Sequence, residues 1–96
     1  MSENDARVFR VCEHITSRMV DDEVFLMDLL SLHTYALNTT AAFVWSLLDG
    51  RRSMEDICRA AMERYDIAPE TCRGEIGELL DLFIAERLIS PAVPDA

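Results

Sequence analysis

The sequence predicts an α+β domain of the winged helix-turn-helix type: a small antiparallel three-stranded sheet followed by three helices. Two observations carry this reading. Up to residue 37 the apolar residues alternate with period two, as they do on strands, and beyond residue 38 they recur at helical spacing behind recognisable caps. A third observation bounds the size, because 96 residues, half of them apolar, suffice for one hydrophobic core and not for two. A sheet this small cannot bury its inner face alone, so the helices must pack on it.

Met1–Ala6 is polar and reads as a tail. Arg7–Val11 alternates and is a possible edge strand within an N-terminal tail of residues 1–16. The folded domain is expected over 17–90, followed by a C-terminal tail, 91–96, that carries Pro91 and Pro94. Ile15–Val20 is a second, weakly patterned strand. Asp21-Asp22 is a turn, since Asp bonds its own backbone and tolerates turn dihedrals. Glu23–Asp28 has Val24 and Leu26 on one face and Phe25 and Met27 on the other, so it is expected in the middle of the sheet.

Leu29–His33 is an unusual connection. Hairpin loops favour Gly, Asn or Asp, and this one has Leu29, Leu30 and Leu32. Either the strands run further or the loop exposes leucines as a contact surface. Thr34–Leu37 then alternates again, with Tyr35 and Leu37 on one face and Thr34 and Ala36 on the other.

Asn38 stands as the N-cap of a first helix over Thr39–Leu48, and Gly50 stands where a left-handed residue would close it. Ser53 and Asp56 form an approximate capping box for a second helix over Met54–Tyr65. Pro69 opens a third helix over Glu70–Glu86, whose inward stripe reads Cys72, Ile76, Leu79 or Leu80, Phe83 and Ile84. Gly74 and Gly77 inside it point either to close backbone approach or to mere tolerance. Leu88-Ile89-Ser90 can return to the sheet or core as a short strand.

The net charge is −9 and the sequence pI is near 4.5. An acidic surface repels phosphate backbones and anionic membranes but admits basic peptides or proteins. A winged-helix regulator of transcription would need a basic recognition helix, and the third helix is net negative. The N-terminus shows no secretory signal, and no apolar run approaches a membrane span, so a cytoplasmic protein is expected. Cys12, Cys58 and Cys72 have neither disulfide nor zinc spacing. With His14 and His33 as the sole histidines and no nucleotide, hydrolase or metalloprotease motif, no enzyme, cofactor or metal is expected.

The runs Val24–Asp28, Tyr35-Ala36-Leu37-Asn38, Thr40-Ala41-Ala42, Val44-Trp45, Leu47-Leu48-Asp49-Gly50, Ile57, Glu63-Arg64-Tyr65-Asp66, Leu79-Leu80 and Leu88-Ile89 resemble the PqqD-like family. These are small leader-peptide-binding domains, or precursor recognition elements of ribosomally made natural products. The likeness spans about Ser17 to Ser90. It implies a non-catalytic module that binds the leader of a precursor peptide by β-strand addition. It also implies a partner enzyme, such as a radical SAM protein, a cyclase or a leader peptidase, to which the precursor is presented. Carried over by position, the edge strand is Thr34–Leu37 and the helix wall is the outer face of Glu75–Arg87. The sequence departs from the family pattern at Ser31-Leu32-His33 and at Arg87, where Gly is usual, and at Leu82, where a charge is usual.

The candidate peptide-binding residues are therefore Leu32, His33, Thr34, Tyr35, Ala36, Leu37, Glu75, Glu78, Leu79, Leu82, Phe83 and Glu86. Strand addition needs an unpaired edge beside an apolar wall, and Thr34–Leu37 contains no Pro or Lys to block it. The three acidic residues can meet basic leader residues. Two further readings stay open: a DNA-binding regulator, and a homodimeric adaptor that associates through Leu29–Leu32.

Overall fold

A computed structural model describes residues 8–92. The elements run β1 (Val8–Val11), β2 (Ile15–Val20), β3 (Glu23–Asp28), β4 (Thr34–Leu37), α1 (Thr39–Ser46), α2 (Met54–Arg64), α3 (Pro69–Ala85) and β5 (Ile89–Ala92). The readings of residues 1–7 and of Pro94 fall outside the described residues.

The three-stranded antiparallel sheet has the order β2-β3-β4, with β3 in the middle as its two apolar faces require. Asp21 and Asp22 both take positive φ, 52° and 70°, so the β2–β3 hairpin closes through a type I′ turn. That turn sets the register in which Leu26 lies opposite Ser17 on one side and Tyr35 on the other. Leu26 is fully buried under the helices with Val44, Ile57, Ile76 and Phe83.

The helix boundaries follow their caps. Asn38 Oδ1 accepts the Ala41 N–H at 2.8 Å. Ser53 and Asp56 form a complete capping box, each side chain accepting from the other's backbone N–H. Pro69 is the first residue of α3 and loses nothing by having no N–H there. At the far end Leu88 N–H donates to Phe83 O and Arg87 N–H to Ile84 O, the paired bonds of a Schellman motif, with Arg87 at φ 61°.

Several expectations are corrected. The possible edge strand near the N-terminus is β1, which pairs with β5 in a separate two-stranded sheet, but Val8 and Phe9 are core residues and not part of a tail. Pro91 is not in a loose tail but lies in β5 opposite Phe9. A proline is tolerated there because the Phe9 carbonyl turns the other way and accepts the Gly50 N–H at 3.0 Å. Gly50 does take a left-handed φ of 78°, yet it does not close α1, whose C-cap is Leu47. It lets the chain return to β1, and a Cβ there would press on the Arg10 side chain at 3.3 Å. Neither glycine of α3 meets another backbone: Gly74 faces open space and Gly77 faces only the Met54 methyl.

The leucine connection is a built loop and not an extension of the strands. Asp28 Oδ1 accepts the Leu30 and Ser31 N–H groups, and the Asp28 backbone bonds Leu32 and His33. Leu32 closes it at φ 65°, the conformation that Gly usually supplies. Leu29, Leu30 and Leu32 are all exposed.

Candidate functional site

β4 is an outer strand, and its free edge looks onto α3. Leu26 and Val24 of β3 direct their amides to β4, as the Asp28 N–H bond to the His33 carbonyl fixes. Tyr35 and Leu37 are therefore the paired residues of β4. Thr34 and Ala36 turn their N–H and C=O groups outward, away from β3. Nothing in the strand blocks that edge, since it holds neither Pro nor a charge.

Between this edge and α3 lies a groove of about 370 Å³. Its strand side is Tyr35, Ala36 and Leu37, and its helix side is Leu79, Leu82, Phe83 and Glu86, spaced i, i+3, i+4, i+7 on one face. Asn38, Ala41 and Leu88 complete the lining. The floor is firm: Phe83 is only 2% exposed and meets Trp45 edge-to-face at 5.4 Å between ring centroids. The rim is open, with Leu82 54% exposed. Tyr35 Oη donates to Glu86 Oε1 at 3.3 Å and links the two walls. Burial, then the Glu86 carboxylate, pushes the Tyr35 phenol above its ordinary pKa. His33 stacks on Tyr35 with centroids 6.1 Å apart.

Of the twelve candidate residues, Tyr35, Ala36, Leu37, Leu79, Leu82, Phe83 and Glu86 line this one groove. Thr34 is on its open edge, and Leu32 and His33 sit in the loop that leads into it. Glu75 lies a turn before Leu79 and lines a different, small cavity of about 20 Å³ between the helices. Glu78 is exposed and outside the groove lining. Phe83 is a floor residue packed in the core, not a free contact. The sequence reading left out Asn38, Ala41 and Leu88, each already given a structural role as cap, helix or return strand. Their signal was proximity alone: the first two follow the edge strand directly, and Leu88 follows the turn at Arg87.

Among the described residues no three His, Cys, Asp or Glu side chains gather as a metal site. His14 faces Asp28 at 3.8 Å. Burial, and then the Asp28 carboxylate, raises the Cys12 thiol pKa, and burial foremost takes Cys58 up to about 11, so both are poor thiolates. Within α3, Glu70, Glu75, Glu78 and Asp81 outnumber Arg73, which is itself paired with Glu55 at 2.8 Å. A duplex groove would meet a negative helix. No helix among the described residues is long and apolar enough to cross a membrane.

Comparison with known proteins gives the same outline. The protein-family model described as Coenzyme PQQ synthesis protein D (PqqD) matches residues 23–89. No curated protein sequence matches the chain. Among solved structures, a lasso peptide synthetase B1 complexed with the leader peptide is 27% identical at a TM-score of 0.77, covering 86% of this chain and 98% of that one. TbiB1 in complex with the TbiA(beta) leader peptide has a TM-score of 0.79 at 23% identity, with 84% and 94% covered. The PqqD part of Methylobacterium extorquens PqqCD, a stand-alone RiPP recognition element, has a TM-score of 0.71 at 22% identity, with 86% and 88% covered. At those last two identities the likeness shows the fold.

Proposed function

The chain belongs to the PqqD family, and on that premise we propose that it is a non-catalytic module for the leader segment of a ribosomally made precursor peptide. The leader adds as a further strand to β4 and lays alternate side chains into the groove against α3. One observation carries the reading: the outward amides of Thr34 and Ala36 and the apolar wall of Leu79, Leu82 and Phe83 flank the same groove. Strand addition draws affinity from main-chain hydrogen bonds and selectivity from the adjoining pockets. Two structural relatives are complexes with leader peptides, which supports this use of the fold.

The held precursor is then presented to a peptide-modifying enzyme: a radical SAM protein, a cyclase or a leader peptidase. The groove carries Glu86 at its rim and the chain is strongly acidic, so the leader it takes combines apolar residues with Lys or Arg.

The test is a titration of the isotope-labelled chain with leader peptides of the precursors encoded beside its gene. The expected result is micromolar or tighter binding, with the largest amide shifts at Thr34, Ala36 and the Leu79–Glu86 turn. Absence of binding by every such leader, or shifts confined to residues away from β4 and α3, overturns the reading.

A further inference from the structure

The three-stranded sheet has a second free edge, and nothing in the leader-binding reading uses it. Among the described residues, in the order β2-β3-β4, β2 has a neighbour on one side only. Five of its six residues are exposed, including Met19 at 70% and Val20 at 45%. Exposed edges are usually blunted by Pro, Lys, bulges or covering loops. Here the sole charge on the strand is Arg18, and there is no Pro.

The type I′ turn fixes which groups are free. Val20 and Glu23 flank it as a hydrogen-bonded pair, and so by alternation do Arg18 with Phe25 and Thr16 with Met27. Ser17 and Met19 therefore direct their N–H and C=O groups away from β3. The same two residues share the core-side face of the sheet with Val24 and Leu26, but α1 packs beneath β3 and β4. The inner face of β2 overhangs a cleft of about 710 Å³.

That cleft has a defined chemistry. Its apolar lining includes Met19, Phe43, Trp45 and Tyr65. Its cations are Arg18 and Arg64, against the single carboxylate of Asp22. Arg64 lies over the Phe43 and Tyr65 rings, 5.3 and 5.8 Å from their centroids, so a positive charge is held on the wall. In a chain of net charge −9 this is a locally cationic, aromatic surface next to an open edge.

We propose that the β2 edge and this cleft form a second strand-accepting site, which docks an extended apolar and acidic segment of the modifying enzyme while β4 holds the leader. This rests on the leader-binding reading. The two edges lie on opposite sides of β3, so both can be occupied at once. Charge decides between occupants: the groove at β4 has Glu86 on its rim and favours basic segments, whereas the cleft at β2 favours acidic ones. A second copy of this chain is disfavoured. Pairing β2 with itself through the outward amides, Ser17 against Met19, sets Arg18 against Arg18, and the two chains repel as a whole.

The experiment uses the full labelled chain, its cognate leader, and the peptide-modifying enzyme encoded beside its gene. Leader is added first and its shifts at Thr34 and Ala36 recorded; failure here counts against the function proposed above, independently of the second site. Enzyme is then added to the leader-loaded chain. Expected are protection of the Ser17 and Met19 amides and a change in the fluorescence of Trp45, the chain's one tryptophan. Arg64→Glu and Met19→Glu, both at exposed side chains, should weaken enzyme binding at least tenfold and leave leader affinity within twofold. Enzyme binding without effect at β2, unchanged affinity in both variants, no binding of enzyme at all, or a light-scattering dimer that Arg64→Glu abolishes each overturns the proposal.

Discussion

The Tyr35 hydroxyl on β4 donates to the Glu86 carboxylate at the end of α3, 3.3 Å away in space and 51 residues away in sequence. This bond joins the two walls of the groove at its mouth. Because burial and Glu86 raise the phenol's pKa above its ordinary value near 10, the native state keeps a proton that the unfolded state releases. Stability therefore falls as pH rises from the unfolded phenol's pKa through the folded one. Tyr35→Phe should remove that part of the alkaline loss, and Glu86→Gln should reduce it, as read by denaturant unfolding across the alkaline range.

Glu86→Gln should also cost leader affinity. An exposed ion pair is worth about 0–1 kcal/mol, so the loss is at most roughly fivefold and shrinks with added salt. A calorimetric titration at two ionic strengths distinguishes this from a structural effect, which salt would not erase.

The free amides of β4 can be removed singly. Ala36→Pro and Thr34→Pro each delete an outward N–H that no ladder bond uses. Each should keep the fold and lose leader binding about five- to tenfold, the weight of one main-chain hydrogen bond of about 1 kcal/mol plus its neighbours. Wild-type affinity in both variants would place the peptide elsewhere.

Leu82 and Phe83 are adjacent and should behave oppositely. Phe83→Ala empties a core position against Trp45 and should destabilise the chain by about 3–5 kcal/mol, whatever it does to binding. Leu82→Ala removes a half-exposed side chain and should change stability by less than about 0.5 kcal/mol. It should still weaken leader binding by about 1 kcal/mol, if the peptide covers it. Urea unfolding beside a binding titration separates the two.

Leu32 and Arg87 occupy left-handed positions that favour glycine, one closing the β3–β4 loop and one closing α3. Leu32→Gly and Arg87→Gly should each stabilise by about 0.5–1 kcal/mol, the relief of backbone strain exceeding glycine's extra entropy. The double variant should melt several degrees higher.

Acid should act through the caps. The backbone hydrogen bond from Ser53 foremost, and then Ser53 and Arg59 side-chain contacts, hold Asp56 below the ordinary carboxylate pKa despite an opposing burial effect. The stability this contributes is present above the unfolded carboxylate's pKa near 3.8 and is lost as pH falls through the lower folded value. Asp56→Asn should flatten that acid limb in a pH series of thermal melts.

Much of this molecule was written locally. Asn38, the Ser53–Asp56 box, the Asp21-Asp22 turn and Pro69 act on backbone groups within about four residues, so the helix starts and the first hairpin follow from local sequence. The family resemblance marked the Ser31-Leu32-His33 loop and Arg87 as places where Gly is usual, and Leu32 and Arg87 take positive φ there at the expense of strain. What the tertiary structure alone decided are relations across long stretches of chain. β1 finds β5 some eighty residues on, which turns an apparent tail into core and an apparent tail proline into part of a strand. The rotation of α3 places Leu82 in the open and its neighbour Phe83 beneath Trp45. Among the described residues both edges of the sheet stay free, and α1 packs beneath β3 and β4 while β2 overhangs a cleft. Periodicity states which residues share a face; only packing states whether that face meets a helix, a cleft or water.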